Sequence, residues 1–117
     1  MLNKTNRIHL KKQYDVIFRK GKKYVLPHLI IYILTNELGW NRYGIIASKK
    51  VGKAPIRNLA KRRMRHIMRI TLPQTKTGYD FVIVCRNSIR TASFQSLYQE
   101  FNGVLKKDGL YVKNIGD

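Results

Sequence analysis

Between Leu38 and Tyr79 the chain carries eleven lysines and arginines and no acid, and this run narrows what the chain can fold into. Like charges at such density cannot share a core; they must gather on one surface while the apolar residues of the same stretch turn the other way. Pro55 to about Ile70 meets that demand as a helix, since proline suits a first helical turn where its missing N–H has no partner to lose. At 3.6 residues per turn Ile56, Leu59, Ala60, Met64, Ile67 and Met68 share one arc, and Lys61, Arg62, Arg65, His66 and Arg69 the opposite one. Arg63 falls toward the apolar side and has to lay its stem on the core with its guanidinium outside.

A run of charge is usually a solvated face, but solvated helices mix signs so that i,i+4 pairs support them. Here every charge is positive, which points to a phosphate-bearing partner, and the preponderance of arginine suits bidentate phosphate contact and stacking on bases. The preceding loop Ser48-Lys49-Lys50-Val51-Gly52-Lys53 adds three cations and a glycine where backbone can approach phosphate; it lacks the spaced glycines and Gly-Lys-Ser/Thr ending of a P-loop. The whole chain has the same bias: 117 residues, net charge +18, with nucleic acid a better match than a membrane surface.

That length supports one core, so a single domain over residues 1–117 is expected, its ends the least specific parts. The spacing predicts a short helix over Lys12 to Arg19, stopped by Gly21, then strand from Tyr24 to Leu34 interrupted or split at Pro27. A turn at Thr35 to Gly39 leads to a buried strand from Arg42 to Ser48, expected to pair with the preceding strand as a hairpin. After the basic helix come a strand from Tyr79 to Val84 and a helix from Ser93 to Lys106. That helix has Ser93 or Thr91 as N-cap and Phe94, Leu97, Phe101, Val104 and Leu105 on one face. The order α-β-β-α-β-α, with the first strand whole or split in two, is an α+β domain.

Cys85 is the single cysteine, so no intramolecular disulfide forms and a reducing cytoplasm is the expected location. The longest apolar run, Leu29 to Leu34, is strand-sized, and Met1 to Arg7 lacks the apolar stretch of a secretory signal, so neither membrane insertion nor export is expected.

The stretch Ala47-Ser48-Lys49-Lys50-Val51-Gly52-Lys53-Ala54, followed by Arg57-Asn58-Leu59-Ala60-Lys61-Arg62-Arg63-Met64-Arg65, resembles the protein component of bacterial ribonuclease P. Asn6-Arg7, Tyr14 to Gly21 and Gly78 to Arg86 are similar to other parts of that family. Leu59 departs from it, standing where a second arginine is usual. The resemblance implies an α-β-β-β-α-β-α sandwich like the second domain of ribosomal protein S5, with a left-handed crossover that connection rules alone would not give. It implies that Lys49, Lys50, Lys53, Arg57, Asn58, Lys61, Arg62, Arg65 and Arg69 bind the ribonuclease P RNA. It further implies that a cleft between the helix and the sheet receives the single-stranded 5′ leader of precursor tRNA, with Tyr14, Phe18, Tyr32 and Ser48 in contact. Rings there can stack on unpaired bases without selecting one sequence, although aromatics at such spacings are more often core.

Phosphodiester hydrolysis of this kind uses metal ions. Asp15, Glu37 and Asp80 are dispersed, and Cys85 sits in an apolar strand context that favours an inert thiol, so no catalytic or metal-binding residue is expected here. The resemblance assigns Mg2+ and the cleavage to the RNA subunit, with the protein inactive alone and no DNA, membrane or stable protein partner. Three rivals remain: a ribosomal or other structural RNA-binding protein, a helix-turn-helix DNA reader and a self-sufficient nuclease. The DNA reader needs a helix where Arg42 to Ser48 reads as strand, and the nuclease lacks metal ligands.

Overall fold

A computed structural model of the chain describes residues 6–112; residues 1–5 and 113–117 lie outside them. The described elements are α1 (Lys11–Lys20), β1 (Lys22–Val25), β2 (Leu29–Thr35), β3 (Arg42–Ile46), α2 (Ala54–Thr71), β4 (Tyr79–Cys85) and α3 (Phe94–Lys107), with short 3-10 turns after α2 and β4. This is the α-β-β-β-α-β-α order of an α+β fold. Pro27 does split the early apolar run: the Leu26 N–H donates to the Leu29 carbonyl, and β1 folds back on β2 from Lys22↔Ile33 to Val25↔Ile30. Gln13 helps start α1 by accepting from the backbone N–H groups of His9 and Leu10 at 3.3 and 3.2 Å. Ser93 caps α3, its Oγ accepting from the Ser96 N–H at 3.0 Å.

The pairing of β3 corrects the hairpin expected from sequence. The sheet order is β1-β2-β4-β3: β4 runs antiparallel to β2, and β3 lies parallel on the far side of β4. The physical reason is burial. Phe81, Val82 and Ile83 are fully buried on both faces of β4, which therefore takes a central place, whereas half-buried β3 tolerates an edge. Charge reinforces this choice, because Arg42 and Asp80 are register partners only when β3 lies on β4. A parallel pair needs a crossover, and α2 supplies it.

The two sheet faces are covered differently. Leu29, Ile31, Ile33, Tyr43, Phe81 and Ile83 meet α2 and α3 in the larger cluster, while Val82, Ile8 and Ile17 form a smaller one under α1. In α2, Met64, Ile67 and Met68 are fully buried; at about 1.5–3 kcal/mol for each such side chain, this arc orients the helix and leaves its cations outside. Two expected core positions are not core. Leu59 is 38% exposed because it stands at the margin of the arc, and Phe94 is 37% exposed, its ring meeting His66 of α2 at the surface. Arg63 does snorkel, its Nη1 donating to the Ala92 carbonyl at 3.2 Å.

Candidate RNA interface

The lysine loop is held by one apolar anchor. Val51 is fully buried, its N–H donates to the Ser48 carbonyl at 3.0 Å, and the Gly52 N–H donates to the Lys49 carbonyl at 3.2 Å. Gly52 has a φ of +150°, and a Cβ there would press on Ile56 at 3.1 Å, so glycine is needed for the loop to enter α2. The result turns Ser48, Lys49, Lys50 and Lys53 outward. The structure thus groups Ser48 with the lysines.

From this loop the cations continue along α2. Asn58, Arg62 and Arg69 are exposed, and Arg57, Lys61 and Arg65 are half-buried. The Nε of Arg57 is buried without an acceptor, a situation that costs about 1–3 kcal/mol and that an arriving phosphate oxygen would relieve. No acid lies in the first turn of α2.

Three of the acids are engaged elsewhere. Arg42 grips Asp80 with two nitrogens at 2.9 and 2.6 Å, and Asn36 Nδ2 donates to the same carboxylate at 2.7 Å. Glu100 accepts from the backbone N–H of His28 at 3.0 Å and pairs with its ring Nδ1. Asp108 accepts from Lys22 Nζ at 2.8 Å and from the Tyr24 hydroxyl; burial alone would raise its pKa, but these two donors hold it below the ordinary carboxylate value. Asp15 makes only a long, exposed contact with Lys11 at 3.9 Å. Among the described residues, no ion pair involves a cation of α2 or of the lysine loop.

The three predicted rings come together on the other side of the sheet. Tyr14 and Phe18, one turn apart on α1, have centroids 6.3 Å apart, and Phe18 meets Tyr32 of β2 edge to face at 4.9 Å. Phe18 is 40% exposed, Tyr14 and Tyr32 are half-buried, and Lys23 Nζ stands 5.8 Å from the Tyr32 ring centre. The helix over these rings is α1, so the cleft they border lies between α1 and the sheet, not under the basic helix.

The ring shelf and the basic helix meet at the β3 edge, where Arg7, Ile8, Tyr14, Tyr43, Gly44, Ile45, Lys61 and Arg65 line a recess of about 200 Å³. Burial raises the Tyr14 pKa, with nearby Arg7 opposing the rise, so the phenol stays neutral and its hydroxyl donates a hydrogen bond to the Ile8 carbonyl at 3.3 Å. Sequence reasoning does not single out Gly44, although a glycine inside a strand signals close approach. A Cβ there would collide with the Tyr14 ring. Lys23 and Tyr43 also escape a reading of the sequence, and nothing local marks them, while Arg7 is marked only by the family resemblance of Asn6-Arg7. The Cys85 thiol is buried and pushed up to about 11, which leaves it a poor nucleophile at neutral pH.

A helix and loop of unanswered cations, beside a shelf of rings on an α+β scaffold, define a protein of the nucleic-acid-binding class. The ribonuclease P family model matches residues 2–108. The ribonuclease P protein component of Syntrophomonas wolfei is 40% identical over 114 residues, covering 97% of this chain and 96% of that protein. That of Clostridium botulinum strain Langeland is 38% identical over 109 residues, with 92% and 98% covered. Among solved structures, the fold is similar to that of a mutant RNase P protein of Staphylococcus aureus, with a TM-score of 0.84 at 24% identity over 92% of each chain. The chain belongs to the ribonuclease P protein component family, and its role is that of the protein subunit in tRNA 5′ processing.

Proposed function

We propose that α2 and the lysine loop bind the ribonuclease P RNA while the shelf of Tyr14, Phe18 and Tyr32 receives the unpaired 5′ leader of precursor tRNA. The observation that carries this reading is the absence of any acid paired with α2 or its loop among the described residues, while Lys22 and Arg42 elsewhere do meet carboxylates. Phosphate contacts by Lys49, Lys50, Lys53, Arg57, Lys61, Arg62, Arg65 and Arg69 would release counterions and lower the repulsion between two RNAs; Asn58 adds a neutral donor. Ser48, with the lysines at the head of the loop, would add a hydroxyl to the leader contact. Stacking on the rings would grip a leader of any sequence.

Magnesium does not fit this chain. Asp80, Glu100 and Asp108 are each taken by protein donors, and no three His, Cys, Asp or Glu side chains cluster among the described residues. The ions that activate water and stabilise the leaving oxygen are accordingly assigned to the RNA, which performs the cleavage, and the protein alone is expected inactive. The same reading covers a single RNA-binding domain, a cytoplasmic location and no DNA or stable protein partner. No described helix is long and apolar enough to cross a membrane. The β3–α2–β4 crossover is the unit to which the left-handed connection, and with it the likeness to the S5 domain, would apply; a crystal structure tests both.

The function is tested by precursor-tRNA cleavage at low magnesium, using a bacterial ribonuclease P RNA with and without the protein, beside the protein alone. Stimulation only with the RNA supports the reading. Cleavage by the protein alone would replace it with a nuclease, and tight RNA binding without stimulation would replace it with a structural RNA-binding protein.

A further inference from the structure

The cationic face and the apolar arc of α2 are separated, toward α3, by a third stripe. Leu59, Arg63, His66 and Ile70 stand at i, i+4, i+7 and i+11, spacings that stack side chains along one line of a helix. Leu59 and Ile70 are large apolar residues left exposed at its two ends. At its centre the His66 and Phe94 rings meet edge to face, with centroids 5.4 Å apart. Arg62, Arg63, His66 and Phe94 line a shallow recess of about 500 Å³. Arg63 is tethered by its bond to the Ala92 carbonyl, and neither arginine has an acid partner among the described ion pairs. This recess lies on the α2 and α3 side of the sheet, the ring shelf on the α1 side.

We infer that the recess is a separate contact for the RNA partner and takes one unpaired nucleotide, its base stacked on the Phe94 and His66 rings and its phosphate held by Arg62 and Arg63. Charge complementarity selects the occupant: two arginines free of acids answer a phosphate, and an exposed ring lining the same recess answers the flat face of a base. The inference rests on the assignment of ribonuclease P RNA to α2.

The test measures the Kd of the full chain for a bacterial ribonuclease P RNA over a series of salt concentrations, with Phe94→Ala, Phe94→Trp and Arg63→Ala. Stacking releases no counterions, so Phe94→Ala should weaken binding about tenfold at every salt concentration with an unchanged slope. Phe94→Trp should retain affinity, which separates a lost stacking surface from a lost fold. Arg63→Ala should flatten the slope by about one unit. The ratio of precursor to mature tRNA affinity should stay fixed in all three. Wild-type RNA affinity in Phe94→Ala overturns the inference and leaves the α2 assignment intact, whereas failure of the wild-type chain to bind the RNA overturns both. Loss of self-association in Phe94→Ala with RNA affinity intact would give the recess to a second copy of the chain.

Discussion

Arg42 and Arg65 have the same side chain in opposite circumstances. Arg42 on β3 meets Asp80 with two nitrogens in a register fixed by the parallel ladder, and its pKa is raised by that hydrogen bonding against the opposing effect of burial. Arg65 on α2 is half-buried beside Lys61 and takes part in no ion pair among the described residues. The first arrangement is complete within the fold and ties two strands together. The second leaves charge over for something outside the fold. The protein thus commits Asp80, Glu100 and Asp108 to contacts within the fold, and an acid placed near α2 would compete with the phosphate that the helix is built to meet.

Breaking the first arrangement should have the largest effect. Asp80→Ala leaves a guanidinium in a mostly buried site without its partner and should cost about 3–5 kcal/mol, read by urea denaturation. Arg62→Ala with Arg65→Ala should act oppositely. Stability should change by no more than about 0.5 kcal/mol, while the salt dependence of RNA binding flattens by about one unit for each phosphate no longer neutralised. An unchanged slope would remove the helix from the interface. Phe18→Ala should weaken precursor tRNA about tenfold relative to mature tRNA, and equal losses for both would make the ring a core residue only.

Asp108→Asn sharpens the comparison least. Because the folded-state pKa of Asp108 is lowered, its contribution is fully present above its unfolded value of about 3.9 and is lost as pH falls through the folded value. The variant should therefore be less stable at neutral pH and lose less on acidification below about pH 4, in denaturation curves taken across that range.

Most elements can be read from local pattern because their causes are local. Pro55 and the apolar arc mark α2, Gly21 closes α1, and Ser93 caps α3. The partner of β3 cannot be read this way. Consecutive strands usually pair, and the alternative depends on how thoroughly β4 is buried and on Asp80, 38 residues beyond Arg42. The cationic residues are legible as a face because helix periodicity sorts them. The rings divide: Tyr14 and Phe18 share a helix spacing, but Tyr32 joins them only through the fold, and its place follows from family resemblance alone. Leu59 and Phe94 read as core because periodicity gives direction around a helix and is silent on where the neighbouring layer ends.

Gly44 has a consequence for geometry as well as for packing. It occupies an edge strand and contributes no side chain, yet a single added carbon would strike the Tyr14 ring lying over it. The clearance between the Tyr14 ring of α1 and the backbone of β3 is therefore gauged by one hydrogen atom, much as a removed shim sets the gap between two plates. An alanine here would force the Tyr14 ring aside and so reshape the recess that Tyr14 and Gly44 both line. The width of that recess is thus set at the one position of β3 that has no side chain.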